Sequence, residues 1–143
     1  MTIPITFNLD SSDYTAQLGF DVLLNNNLVF TTEHVTELTT VAVDIDDIDA
    51  EHELKFVLKN KTQAHTQVDQ QGNILNDAML SISNIAFDEV RLTHVFFEQT
   101  VYNHDMNGSQ ALTKHKFFGN MGCNGYVSLK FTTPFYIWLL ENM

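Results

Sequence analysis

Apolar side chains recur at every second position in five stretches of the chain, and this period constrains the fold more than any other feature. The runs are Ile3, Ile5, Phe7 and Leu9; Phe20, Val22 and Leu24; Val41, Val43 and Ile45; Leu54, Phe56 and Leu58; and Val127, Leu129 and Phe131. Alternation places one set of side chains on one face of an extended strand. No long stretch keeps the helical period, so the chain reads as all-β.

Turn signals separate the runs: "LDSSD" at 9–13, "NNN" at 25–27, "DQQGN" at 69–73, "HDMNG" at 104–108 and "CNG" at 123–125. Gly and Asn tolerate the positive φ that hairpin turns require, and Asn124-Gly125 is the strongest such signal. Short strands at this spacing predict one antiparallel two-sheet β-sandwich, jelly-roll-like, over residues 1–143, with an open barrel as the alternative. Residues 78–97 fit either period. Their β-branched content favours two strands, broken near Phe87-Asp88-Glu89, with Leu80 and Ile82 before the break and Val90 and Leu92 beyond it.

At 143 residues the chain is long enough for one core without covalent staples, and the lone Cys123 excludes an internal disulfide framework. The N-terminus lacks a basic, then apolar, secretory pattern, which predicts maturation in a cytosol. A formal charge of −11 disfavours nucleic acid as a ligand. The final apolar run, "PFYIWLLENM", is far shorter than the roughly 20 residues a membrane-spanning helix needs.

Two polar groupings are candidates for ligand chemistry. The run "DIDDIDAEHE" at 44–53 gathers carboxylates, which calcium prefers, but it lacks the glycine and terminal glutamate spacing of an EF-hand loop. Its plainer reading is a strand edge whose alternate acids face water and discourage edge-to-edge pairing. The loops "DQQGNILND" and "YNHDMNG" offer Asp69, Asp77 and Asp105 as candidate calcium ligands, although Asp and Asn also close turns on their own backbone. Tyr14 and Tyr102, with Asn107, are candidates for holding a sugar: an aromatic face meets its C–H groups while an amide meets its hydroxyls. The six histidines form no zinc motif, and Cys123 has no base or cationic neighbour to activate it. Nucleophile elbows and phosphate-binding glycine loops are lacking, so the chain reads as non-catalytic. A weaker alternative makes two of Asp69, Asp77 and Asp105 the acid and base of a polysaccharide-cleaving enzyme.

The segment "HELKFVLKNKTQAHTQVDQQGNILNDAMLSISNIAFDEVRL", with "YNHDMNG" and "FFGNMGCNGYVSLKFTTPFYIWLLENM", resembles small virion proteins of tailed marine and cyanobacterial myoviruses. That resemblance spans most of the chain. It implies a structural protein of the particle (capsid decoration, neck, tail or fibre), made in the host cytoplasm and binding other virion proteins and itself. The strand pattern and acidic loops are also similar to calcium-dependent carbohydrate-binding modules, which implies host-surface glycans as an alternative ligand. No ligand residues carry over from either.

The ending at 134–143 reads as a closing strand with two apolar faces. Tyr136, Trp138 and Leu140 would share one face and meet a partner subunit, while Phe135, Ile137 and Leu139 would face the core. A helix beginning at Pro134 and capped by Thr133 is the alternative.

Overall fold

The computed structural model describes residues 2–61, 66–72, 74–104, 113–122 and 124–142, with backbone alone at 66–68, 74–77, 93 and 94. Its strands are β1 (Thr2–Ser11), β2 (Gly19–Leu24), β3 (Asn27–Thr32), β4 (Thr39–Asp46), β5 (Ala50–Lys59), β6 (Thr66–Val68) and β7 (Ile74–Asp77). They continue as β8 (Leu80–Phe87), β9 (Val90–Arg91), β10 (Thr100–His104), β11 (Thr113–Lys116), β12 (Asn120–Met121) and β13 (Gly125–Thr133). A 3-10 turn covers Tyr14–Ala16, and two short helices follow, α1 (Thr93–Gln99) and α2 (Phe135–Asn142).

Two antiparallel sheets face one another, as the alternation predicts. One orders β12-β8-β1-β4 with β9 also on β8; the other orders β11-β10-β13-β5-β2-β3; and β6 and β7 form a separate hairpin. Each apolar run faces inward: the buried residues include Ile3, Ile5, Phe7 and Leu9 of β1 and Leu54, Phe56 and Leu58 of β5. Phe7 joins the sheets, its ring edge-on to Phe56 at 5.1 Å and to Phe20 at 6.1 Å. Edge-to-face rings add to area burial because the positive rim of one meets the negative face of the other.

The turn chemistry holds in one place and is overridden in another. Asn25 and Asn26 both take positive φ, 51° and 66°, between the paired residues Leu24 and Asn27. This is the mirror-image turn whose twist suits a hairpin. Asn124-Gly125, by contrast, closes no hairpin, because β12 belongs to one sheet and β13 to the other. The Asn124 amide instead bonds the backbone of Lys61, accepting from its N at 3.0 Å and donating to its O at 2.7 Å. Gly125 lets β13 approach β10 closely, since a Cβ there would lie 2.2 Å from the Asn103 carbonyl oxygen.

Residues 78–97 divide at Asp88-Glu89, as expected, but the second strand is only Val90–Arg91 and then becomes α1. Phe96 explains the change. Its ring enters the core against Phe56 at 5.9 Å and Phe117 at 5.8 Å, a depth that a strand at the sheet edge would not reach.

The strand expected at the C-terminus is a helix. Beyond Thr133 there is no backbone to pair with, because β5 begins at its partner Ala50. Phe135, Trp138 and Leu139 face inward at helical spacing and plug the open end of the sandwich. Phe135 stacks on Phe87 of one sheet at 4.6 Å, and Trp138 meets Phe131 of the other at 6.2 Å. The cap comes from a distant loop instead of Thr133: the Phe135 N–H donates to Asp47 Oδ1 at 2.9 Å. Asp47→Ala is expected to lower stability by about 1 kcal/mol, and Asp47→Asn by less, in thermal unfolding. Equal effects from the two variants would remove the cap from this account.

Candidate binding site

The acidic run at 44–53 adopts its plainer reading only at its start, since Asp47 caps α2 and Glu51 and Glu53 lie on β5, an interior strand of the other sheet. Asp44 and Asp46 alternate with buried Val43 and Ile45 on β4, the edge of its sheet, and point to solvent. Among the described residues no group of three or more His, Cys, Asp or Glu side chains is placed to hold a metal ion.

The other candidates part company. Tyr102 is buried, 7% exposed, packed on Phe117 and His104 inside the sandwich, and so offers no face to a sugar. Its place follows from alternation along β10, where Thr100, Tyr102 and His104 all turn inward. Tyr14 is 44% exposed, but its hydroxyl donates to Asp10 Oδ1 at 2.7 Å, and that bond holds the phenol above its ordinary pKa. Asp69 closes its own turn, accepting from the Gln71 N–H at 2.9 Å. The Asp77 side chain, Asp105, Asn107 and Cys123 lie outside the described residues. The strand ends next to these loops do gather: Ser11, Leu80, Lys59, Gly125 and His104 all mark the same end of the sandwich.

Tyr136, Trp138 and Leu140 do not share a face, because the helix splits them. Trp138 turns into the core, whereas Tyr136 and Leu140 stay exposed beside Ile137. Tyr136 is also tied down, its hydroxyl donating to Asp88 Oδ2 at 2.8 Å, which raises its pKa.

A cleft that the sequence did not single out lies at the outer edge of β8. Between its pairs with β1, Thr6 with Ala86 and Asn8 with Ser83, β8 carries two residues, Asn84 and Ile85, against the single Phe7. Asn84 takes φ 54° at this bulge. The extra residue turns Ser83 and Asn84 outward together while Ile85 returns to the core. On one side stand Arg91 and Phe97, carried by β9 and α1, and on the other stand Phe118 and Asn120, ahead of and within β12. The cleft between them holds about 360 Å³.

Phe118 is 72% exposed, more than any other described aromatic side chain. Two adjacent phenylalanines in an extended segment cannot both face the core. Phe117 takes the interior, fully buried, and Phe118 is left outside. Lys116 Nζ sits 6.0 Å from the centre of its ring. The side-chain inventory around it is two primary amides, two serine hydroxyls and the Arg91 guanidinium, which has no carboxylate partner among the described residues. The lining holds no carboxylate, histidine or cysteine, so it contains no group able to exchange a proton near neutral pH. The arrangement can bind a ligand with one apolar face and many hydroxyls; its lining supplies no acid–base pair for hydrolysis.

The sequence matches no family model, and no curated protein matches it. Among solved structures, vCBM60 in complex with galactobiose shares 16% identity, covering 88% of this chain and 96% of that one, at a TM-score of 0.49. A selenomethionine form of vCBM60, described with two families of calcium-dependent carbohydrate-binding modules linked by circular permutation, shares 14% identity over 89% of each chain at a TM-score of 0.51. With the second of these, the protein shares a fold: two antiparallel sheets packed as a sandwich.

Proposed function

We propose that the protein is a non-catalytic carbohydrate-binding module whose sugar site is the Phe118 cleft. The observation that carries this reading is an exposed aromatic ring set among amides, hydroxyls and an arginine, in a cleft lined by no carboxylate, histidine or cysteine. The Phe118 ring would lie against the C–H face of a pyranose while Asn84, Asn120 and Arg91 take its hydroxyls. The fold shared with a carbohydrate-binding module supports the reading.

The test is a glycan array followed by calorimetry on the strongest ligand. Phe118→Ala is expected to weaken binding about tenfold, equivalent to 1.4 kcal/mol, and Arg91→Gln to weaken it less. Both variants should keep the parent's thermal stability, because exposed substitutions usually change it by under about 0.5 kcal/mol. An array without signal, or unchanged affinity in Phe118→Ala, rejects this site.

Calcium belongs to the same proposal at a different place, the loop that holds Asp69. Among the described residues no group of three ligating side chains completes a site there. If Asp69, Asp77 and Asp105 hold it, calcium at one hundred times its Kd stabilises the fold by about 2.7 kcal/mol. Asp69→Asn should abolish that gain. No shift in unfolding temperature between calcium and a chelator removes calcium and leaves the Phe118 cleft untouched. The resemblance to virion proteins supplies a location for such a module, on the particle. Mass spectrometry of purified particles tests that location by itself.

A further inference from the structure

The outer face of the six-stranded sheet gathers most of the molecule's basic residues, interspersed with Asp21, Glu51 and Glu53. Of seven Lys and Arg residues, five project from this one face: Lys55 and Lys59 on β5, Lys114 and Lys116 on β11, and Lys130 on β13. Two are engaged by neighbours. Lys59 Nζ lies 3.0 Å from Asp21 and 2.9 Å from Glu33, an arrangement that raises its pKa and lowers that of Glu33. Lys55 lies 3.6 Å from Glu53 and 5.0 Å from the centre of the Tyr126 ring. Lys114 and Lys130 have no carboxylate partner among the described residues, and both line a cleft of about 390 Å³ with Asn103, Tyr126 and Ser128. Glu53, the one carboxylate in that lining, is already shared by Lys55 and the Ser128 hydroxyl, which donates to it at 2.8 Å.

We infer that this face binds the carboxylates of an acidic polysaccharide, with Lys114 and Lys130 as the anion-reading pair. The inference rests on the carbohydrate-binding reading and names the ligand class. Two unpartnered lysines in a polar cleft complement an anion, and the flanking hydroxyl and amide suit the sugar that carries it. Lys116 projects from the same face, its Nζ 6.0 Å from the centre of the Phe118 ring. A polyuronate fits better than nucleic acid. Its charges are spaced one per sugar, whereas duplex DNA carries one per about 1.7 Å of axis and meets stronger repulsion from a chain carrying −11 overall.

The experiment compares polygalacturonate with its fully methyl-esterified form, which has the same backbone without the charge. At low salt the wild-type chain should bind the acid form about tenfold more tightly, and physiological salt should erode the difference. A Lys114→Gln, Lys130→Gln double variant should lose that preference while keeping its affinity for neutral galactan and its unfolding temperature. Equal binding to the two polymers, or an unchanged preference in the double variant, overturns the inference. Single-stranded DNA bound as tightly as polygalacturonate overturns it too, since the face would then be a general polyanion surface. Phe118→Ala separates the two proposals: the failure of all glycan binding in the wild type rejects the module itself, whereas neutral binding that depends on Phe118, without an acid preference, rejects only the lysine pair.

Discussion

Phe56→Ala is expected to cost about 3–5 kcal/mol of folding free energy, the largest loss of any single truncation in this core. Phe56 is fully buried, and its ring meets Phe7 across the sandwich, Phe20 beside it at 6.3 Å and Phe96 of α1 at 5.9 Å. Truncation therefore empties a junction of both sheets and a helix, and neighbours held on three separate elements cannot collapse into the gap together. Single domains have only about 5–15 kcal/mol in total, so the variant should unfold at a much lower urea midpoint with its m-value preserved. Phe56→Leu refills most of the volume and should lose less than half as much. A loss below about 1 kcal/mol for the alanine variant would show that Phe56 is not the junction described.

Gly125→Ala is the second large effect, although it adds only one methyl group. The residue has φ +155°, and the added Cβ would sit 2.2 Å from the Asn103 carbonyl oxygen and 3.0 Å from His104 Cβ. The obstacle is backbone of the neighbouring strand, which cannot rotate aside as a flexible side chain could. Either β13 separates from β10 locally or the turn deforms, and we expect a loss of about 2–4 kcal/mol by denaturant unfolding, combining backbone strain with overpacking. Gly72→Ala is the control. Gly72 has φ +85° but open space around its Cβ position, so only the strain of a left-handed backbone remains, about 1 kcal/mol. Equal costs at the two glycines would dismiss the close approach as the cause.

The strands were legible because burial on one face leaves a period of two in the sequence, and all five alternating runs form strands. The C-terminus was not, because "PFYIWLLENM" is apolar at nearly every position and satisfies either period. Tertiary circumstance decided it: an open end between Phe87 and Phe131, no strand to pair with, and a capping carboxylate almost ninety residues upstream at Asp47. Asn124-Gly125 failed as a hairpin signal for a related reason. Gly125 takes φ +155° instead of the left-handed turn conformation, and the strands on either side went to different sheets.

The candidate site was less legible than the fold. Tyr102 sits among polar loop residues in the sequence, and its neighbours suggested exposure; the parity of β10 decided otherwise. Phe118 could have been found from the pair Phe117-Phe118, since one of two adjacent aromatics on extended backbone must face away from a core. The bulge at Asn84 left no comparable mark. Nothing local in "LSISNIAF" announces that one residue is extra, because the surplus exists only against the partner strand β1.

The pairing of β5 with β13 carries a kinetic consequence. Ala50 meets Thr133 and Leu58 meets Gly125, so the central strand of the larger sheet waits for nearly the whole chain before its second edge is covered. Contacts of such long sequence separation slow folding, because most of the chain must lose its freedom before they form. During synthesis β5 can pair with β2 but presents an open edge until β13 emerges. Chains released before residue 125 should therefore accumulate as aggregates, held together by the edge that the last strand would have covered.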